Sequence, residues 1–495
     1  MSAVRVLEGV LRDDPAEPVA QLPFDVPDGC TRIILRYRHD PGHVVDLGLL
    51  DPTATPFPSA GGFRGWSGGA RRTAFVAVNE ATPGYLPGPL PAGRWQVLLG
   101  RARVGPEGCG YRVEVDIEVG GSAVPSPGRA ATPEPPAPRP ATADARATSA
   151  QLASAASLDA TWYPGDLQSH THHSDAQGSV AELLAAAHAR GLRFLAVTDH
   201  NTISHHADLR HHQDGPVVPV PGMEVTTYRG HANVWGASGW VDFRIASDAD
   251  VPRMVRRAHD LGGLVSVNHP KTQPGCIGCD WTYPVPAELD ALEAWQGPWP
   301  LRNWESLARY DRLLAAGRRL TLVGGSDRHQ PAGPEKDPDA LRVGSPTTWL
   351  QLPRLSVPEV LQALRNGRAC VSEGPRGPLL EVWSGAVPMG GRLPDAAPHR
   401  VTARVRGAAG ERLRWVGAKG ILREVPIAGE VFEDALLWRS DGPFLRAEVV
   451  ADAGLAARLA ELTAWSAVRP LPFGITLDEV RAHPWALALA NPLYA

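Results

Sequence analysis

Cysteine is scarce in this sequence. Five in 495 residues, without dense spacing, argue against a disulfide framework. Cys276 and Cys279 form a lone CxxC in "PGCIGCDW". A zinc half-site and a redox pair both use that spacing, but a structural zinc needs a second pair of ligands, so two ordinary loop thiols are expected. No stretch approaches the ~20 apolar residues that cross a bilayer, and the start "MSAVRVLEGVLRDDPAEP" lacks an apolar leader core, so a cytoplasmic protein without a membrane partner is expected. Neither sign of charge dominates: 49 basic and 53 acidic residues leave a net charge of -4 at pH 7. No basic face marks a nucleic-acid footprint, and nucleic acid is left only as a possible substrate. Hydrophobic content of 43% with 21% charged residues excludes wholesale disorder and collagen-like structure. A chain of 495 residues exceeds one ordinary core, so two or three domains are expected.

Proline, alanine and serine crowd residues 121–157, which read as a linker or extended strap. Before it, over residues 1–120, short alternating runs such as "TRIILRYR", "RWQVLLG" and "YRVEVDIEV" between Gly and Pro turns predict a β-sandwich domain. "GGFRGWSGG" reads as a structured connection or a binding loop. Over residues 158–376 helical and apolar runs alternate. Ser179 with Glu182, and Ser356 with Glu359, are spaced as capping boxes that open helices. This alternation predicts a parallel sheet, most simply a (β/α) barrel. Residues 377–495 return to short strands, and a C-terminal β-sandwich is expected there.

Histidine is plentiful and lopsided, with ten of 17 between positions 170 and 231. Position matters more than number. His200 follows "RFLAV", Glu224 follows "VVPVPGM", His269 follows "LVSVN", and Asp327 and His329 follow "LTLVGGS". Each lies just past a predicted strand, where parallel barrels build their active sites. "GDLQSHTHHSD" adds His170 and Asp175, and His231 is near enough to Glu224 to reach the same mouth. Imidazoles and carboxylates without thiolates suit two or three Zn, Mn or Fe ions. Lys271 and Arg328 neighbour these residues and are candidate clamps for an anionic substrate. Of the remaining histidines, His172, His173, His205, His206, His211 and His212 are expected mostly in exposed loops, with His173 a candidate to orient Asp175.

The motifs "GDLQSHTHHSD", "AVTDHN", "PGMEVTT", "RGHANVWG", "VNHP" and "GGSDRHQ", in this order, resemble those of the PHP (polymerase and histidinol phosphatase) superfamily of metal-dependent hydrolases. "LDALEAWQG" and "ANPLYA" bring the sequence nearest the CehA/McbA family. The resemblance implies a distorted seven-stranded (β/α) barrel, flanked here by sandwiches. It implies metal ligands at His170, Asp175, His200, Glu224, His231, His269, Asp327 and His329. Gln168 stands where the family usually has the first histidine of His-x-His-Thr, and as a neutral amide it is the poorer ligand, so two firm ions and a weak or absent third are expected. The implied chemistry is attack by a metal-bridging hydroxide on a small-molecule phosphoester, with an anionic substrate expected. Glu224 would bridge the ions, and Asp327 or His329 would move a proton to the leaving group. A carbamate or carboxylic ester substrate, for which Trp281 and Trp299 would suit an aryl group, is the alternative. A non-catalytic binding protein with a degraded site is the third reading.

Overall fold

A computed structural model describes residues 2–120, 161–330, 341–394 and 398–495. The expected linker at 121–157 and the start of the expected central domain, 158–160, lie outside them.

The first part consists of eight strands: β1 (Ser2–Leu11), β2 (Val19–Val26), β3 (Cys30–His39), β4 (Val44–Leu50), β5 (Phe63–Gly68), β6 (Thr73–Ala77), β7 (Gly93–Arg103) and β8 (Cys109–Val119). They form two antiparallel sheets, ordered β1-β8-β3-β6 and β2-β7-β4-β5. Strand side chains alternate between faces, so Ile33, Leu35 and Tyr37 of β3 meet Val113, Val115 and Ile117 of β8 in one core shared with Leu47, Leu49, Val97 and Leu99. Each such residue contributes about 1.5–3 kcal/mol by leaving water. "GGFRGWSGG" is neither connection nor open loop: it supplies β5. Phe63 stacks on Trp240 with ring centres 4.6 Å apart, and Trp66 lies 4.5 Å from Phe243, so this strand joins the first part to the second.

The middle part contains β9 (Thr161–Asp166), α1 (Val180–Ala189), β10 (Phe194–Val197), α2 (His206–Arg210), β11 (Val218–Thr227), β12 (Gly230–Trp235), α3 (Asp250–Asp260), β13 (Leu264–Val267), β14 (Ala291–Gln296), α4 (Asn303–Ala315), β15 (Thr321–Gly325), β16 (Thr347–Leu352), α5 (Val357–Arg365) and β17 (Ala369–Ser372). Strands β10, β13 and β15 are buried along their whole length, as expected where both faces of a sheet are covered. The expectation of a wholly parallel sheet needs correction. Pairs β9–β10, β10–β11, β13–β14 and β14–β15 are parallel, but β11–β12 and β12–β13 are antiparallel. The two residues between β11 and β12 can join only antiparallel neighbours. At the far edge the sheet returns toward its start. The Asp327 amide donates to the Gln168 carbonyl at 3.0 Å and the His170 amide to the Arg328 carbonyl at 2.9 Å.

Ser179 and Glu182 form the expected capping box at α1. The second box does not form: the Ser356 hydroxyl has no hydrogen bond at the start of α5, and Glu359 lies 3.5 Å from Arg354 instead.

Beyond β17 follow β18 (Leu379–Ser384), β19 (Val387–Pro388), β20 (His399–Arg406), β21 (Arg412–Gly417), β22 (Gly420–Pro426), β23 (Val431–Trp438), β24 (Phe444–Val450), α6 (Leu455–Val468), α7 (Leu477–Arg481), β25 (Ala486–Ala490) and β26 (Leu493–Tyr494). One sheet runs β19-β18-β20-β23. The other strands extend the central sheet, because β25 pairs with β17. In "ANPLYA", buried Asn491 accepts from the Leu322 amide and donates to the Leu322 and Ala369 carbonyls, tying the C-terminal strands to β15 and β17. The helices α6 and α7 were absent from the strand-only expectation for this part. No helix among the described residues is long and apolar enough to cross a membrane.

Candidate metal centre

Strands β9, β10, β13 and β15 each deliver polar residues just past their C-terminal ends, whereas Glu224, expected past its strand, lies inside β11, which runs on to Thr227; all of them converge. The turns that present them hold three non-glycine residues at positive φ: Asn201 (56°), His269 (28°) and Asp327 (53°). Such backbone costs on the order of 1–3 kcal/mol per residue and persists only where surrounding bonds fix it. Here they do. Asn201 donates to the Thr226 carbonyl at 2.8 Å and accepts from the Thr226 amide at 2.7 Å. The His269 amide donates to Glu293 Oε2 at 2.8 Å.

Two ligand sets emerge. In the first, His200 Nε2 and His329 Nε2 are 3.3 Å apart, and each lies within 3.5 Å of Asp175 Oδ1; His170 completes the set. In the second, Glu224 Oε1 lies 3.5 Å from His231 Nδ1 and 3.6 Å from His269 Nε2. Ligands ~2.0–2.1 Å from a tetrahedral ion stand ~3.3–3.4 Å from one another, so both sets have the spacing of a coordination sphere. Register explains the second set: Thr226 lies opposite His231 across the β11–β12 hairpin, and Glu224 shares the face of Thr226.

The far sides of the rings are fixed as metal-ligand histidines require. His329 Nδ1 donates to the Asp327 carbonyl at 2.8 Å, and His269 Nδ1 to the Cys279 carbonyl at 3.1 Å. His200 Nδ1 is 2.6 Å from Thr226 Oγ1 and 2.8 Å from Glu224 Oε2, the latter contact being poorly aligned for a hydrogen bond. Glu224 Oε2, His170 Nδ1, His231 Nε2 and Gln168 Oε1 are buried without hydrogen-bond partners. Buried polar atoms rarely go unpaired, and such a concentration of them beside two coordination-like sets fits residues that hold divalent ions.

The third set, His170, Glu224 and Asp327, is closed differently. His170 Nε2 is only 2.8 Å from Asp327 Oδ1, a hydrogen-bond distance. Gln168 Nε2 donates to Glu224 Oε1 at 2.9 Å and to Asp327 Oδ1 at 3.2 Å. Carboxylates accept, so the Gln168 amide turns its nitrogen toward them, and its oxygen, the atom a metal would need, faces neither. Gln168, expected as a poor ligand, thus donates hydrogen bonds to both carboxylates in the structure.

Charge follows the same geometry. Burial opposes protonation of His200, but Asp175 and Glu224 outweigh it and raise the imidazole to about 10. Burial also works against the charge of Glu224 and Asp327, yet neighbouring histidines hold both carboxyls well below the ordinary range.

The two expected anion clamps are engaged elsewhere. Lys271 is buried, donates to Asn303 Oδ1 at 2.8 Å and to the Gln296 carbonyl at 3.2 Å, and is pushed down by burial to about 7. Arg328 is buried and donates to the Leu341 carbonyl. Cys276 and Cys279, expected as free thiols, are joined in a disulfide in the loop that orients His269. Two of the supposed loop histidines are buried: His173 binds Ser204 and Asp208, and His205 donates to the Val197 and Gly222 carbonyls. Neither contact of His173 is with Asp175. His206 is half-buried against the Gly222 carbonyl, whereas His211 is exposed as expected.

Sequence reasoning passed over several supports. Asp199, next to His200, accepts from the Thr171 amide and the Thr171 and Ser174 hydroxyls, shaping the loop that carries His170 and Asp175. Asn268 donates to Glu224 Oε1 at 2.7 Å, and Gln296 to Asp327 Oδ2 at 2.9 Å. Burial and the Asp327 charge raise the carboxyl of Glu293 well above its usual range. "TDH", "VNH" and "EAWQG" were visible as strings, but amide residues carry no ligand signature. The first part also reaches the mouth. Tyr228 donates to Asp46 at 2.6 Å, and Gly84 (φ 97°) approaches so closely that a Cβ there would lie 2.8 Å from the His173 carbonyl oxygen.

No family model matches this sequence, and no curated protein matches it. Among solved structures, similarity is found to a two-domain protein from Bacteroides vulgatus containing a predicted PHP-like metal-dependent phosphoesterase. It is 16% identical, with 59% of this chain and 91% of that chain covered and a TM-score of 0.35. Similarity is also found to an amidohydrolase from Chromobacterium violaceum with bound sulfate and no metal, at 14% identity, 36% and 93% coverage, and a TM-score of 0.24.

Proposed function

We propose that this protein is a metal-dependent hydrolase of the PHP type that cleaves a phosphoester, its seven strands β9–β15 forming the distorted barrel. The observation that carries the reading is the pair of ligand sets at coordination spacing, with the two oxygens of Glu224 turned to different neighbours. Oε1 lies 3.5 Å from His231 Nδ1 and 3.6 Å from His269 Nε2, and Oε2 lies 3.7 Å from His170 Nε2 and 2.8 Å from His200 Nδ1, the nitrogen on the other side of that ring from its contact with Asp175. His170, Asp175, His200 and His329 would hold one ion, and Glu224, His231 and His269 the other, with Glu224 between them. When bound, divalent ions held by these residues would supply an acidified water and a sink for the negative charge that develops on an attacked ester. The chain's own part is to fix the ligands. Asp199 ties down the His170 loop, Thr226 and the backbone carbonyls set the imidazoles, and Asn268 and Gln168 hold Glu224 by donating hydrogen bonds to its Oε1. Asp327, 2.8 Å from His170 Nε2 and outside these two sets, would be the residue that moves a proton.

A second reading, a carboxylic or carbamate ester substrate, is favoured by one observation: Lys271 and Arg328 are already engaged and do not form an open anion clamp. The test is a chromogenic panel of phosphomonoester, phosphodiester, carboxylic ester and aryl carbamate, offered to Mn- and Zn-loaded protein with His269→Ala as the blank. Phosphoester turnover lost in the blank is the expected result. Turnover of carbonyl esters alone would establish the second reading, and silence with metal bound would favour a binding protein.

A further inference from the structure

β14 ends at Gln296, which donates to Asp327 Oδ2, and the next residue, Gly297, begins the wall of a cleft of about 760 Å³. On the other flank stands Leu341, whose carbonyl receives the guanidinium of Arg328, the neighbour of Asp327. Each flank is thus linked to Asp327 through one neighbouring residue and one hydrogen bond.

The cleft is apolar. Trp295, Trp299, Leu462, Trp465, Ile475 and Trp485 are among the residues that line it. Two of its charged members are joined, Arg458 making paired hydrogen bonds to Glu373 at 2.6 and 2.9 Å, and Arg376 and Glu461 also line it. Ser345 accepts from Arg190 at 2.9 Å. An anion gains little from such walls, whereas a neutral ring gains from every indole it covers. Trp281, the other candidate aryl partner, does not line this cleft; it lies buried against Tyr283, their rings 5.3 Å apart.

The wall helix is unfinished as a packed element. α6 runs 14 residues without one fully buried side chain. Its apolar stripe, Leu455, Leu459, Leu462 and Trp465, is only half-buried. Isolated helices of this length are marginal in water and depend on packing of an amphipathic face. A ligand in the cleft would complete that packing.

We infer that the cleft between α6 and the β14–α4 connection binds a neutral, ring-containing apolar group, with Leu462, Trp465 and Ile475 determining which rings fit. Resting on the proposed hydrolase function, the group is the non-reacting part of the ester, its reacting end directed past Gln296 to Asp327.

Calorimetric titration of hydroxybiphenyl into the intact protein tests the site without turnover. Binding to the wild type is expected, weakened about tenfold in Leu462→Asp and in Trp465→Ala, and retained in His269→Ala. Both cleft substitutions lie on an exposed helix, and melting curves matching the wild type certify their fold. No binding to the wild type, or equal affinity in both cleft variants, would overturn the inference. The companion measurement is kcat/KM for a biphenylyl ester relative to the matching methyl ester, a ratio that should fall about tenfold in Leu462→Asp. Binding without hydrolysis of either ester would sink the hydrolase reading and leave the cleft standing. Hydrolysis with an unchanged ratio would sink the cleft and leave the hydrolase.

Discussion

The same continuous sheet carries two clusters of buried charge, and they are finished in opposite ways. Around Arg446 on β24, every charge is answered by the chain. The guanidinium grips both oxygens of Asp311 on α4 at 2.7 Å and reaches Glu448 at 2.6 Å. Burial opposes its charge, but Asp311 and Glu448 hold it firmly protonated. Around Glu224 the inventory stays open: four buried polar atoms lack partners, three turns hold left-handed backbone, and carboxylates and imidazoles stand at coordination distances from each other. A closed network fastens elements together, whereas an open one spends folding free energy to keep ligands poised.

Substitutions should separate the two. His269→Ala removes a proposed ligand and should lower hydrolysis by at least about 10²-fold while the fold survives; retained kcat/KM with the metal lost would contradict the proposed centre. Asp311→Ala leaves Arg446 half-paired and buried, so a loss of about 3–5 kcal/mol in denaturant unfolding is expected, with kcat little changed. If instead activity fell and stability held, the contrast between the clusters would collapse. Divalent metal at about 100 times its Kd should stabilise the wild type by about 2.7 kcal/mol in thermal melts, and a chelator should reverse it. The same addition should do much less for His269→Ala.

Gln168→His sharpens the comparison from the other side. It removes the amide donor that closes the His170–Asp327 set, and elemental analysis should then find a third ion bound about tenfold more tightly than in the wild type. An unchanged ion count would show that Gln168 is not what closes that set.

The smallest effect concerns a half-exposed pair belonging to neither cluster. His259 Nε2 lies 2.7 Å from Asp290 Oδ2, and this hydrogen bond raises the imidazole above its ordinary 6.5 while burial partly opposes it. A raised base stabilises the fold below its unfolded pKa, and that contribution is lost as pH rises through the folded value. His259→Asn should therefore cost about 0.5–1 kcal/mol near pH ~5.5 and almost nothing near pH ~9. Equal losses at both pH values would mean that packing, not charge, is what the substitution removes.

The sequence by itself determined the inventory of candidate ligands. His200, Glu224, His269, Asp327 and His329 could be read as residues past apolar runs because a strand buried on both faces must end where polar side chains begin. The alternation of β3 and β8 and the capping box of α1 were legible for the same local reason: each depends on residues within one element. Local pattern failed where distant partners decided. Nothing near Gln168 in the chain shows that its amide would face Glu224 and Asp327, respectively 56 and 159 residues away. Nothing around Lys271 shows that Asn303 would claim its ammonium group. The stripe of α6 was present in the sequence, but whether a half-apolar helix closes a core or walls a cleft depends on what stands opposite. Residue type and period set which groups could act. Only the tertiary structure, by spending each donor on a particular acceptor, decided which remain unspent and therefore able to hold an ion or a ligand.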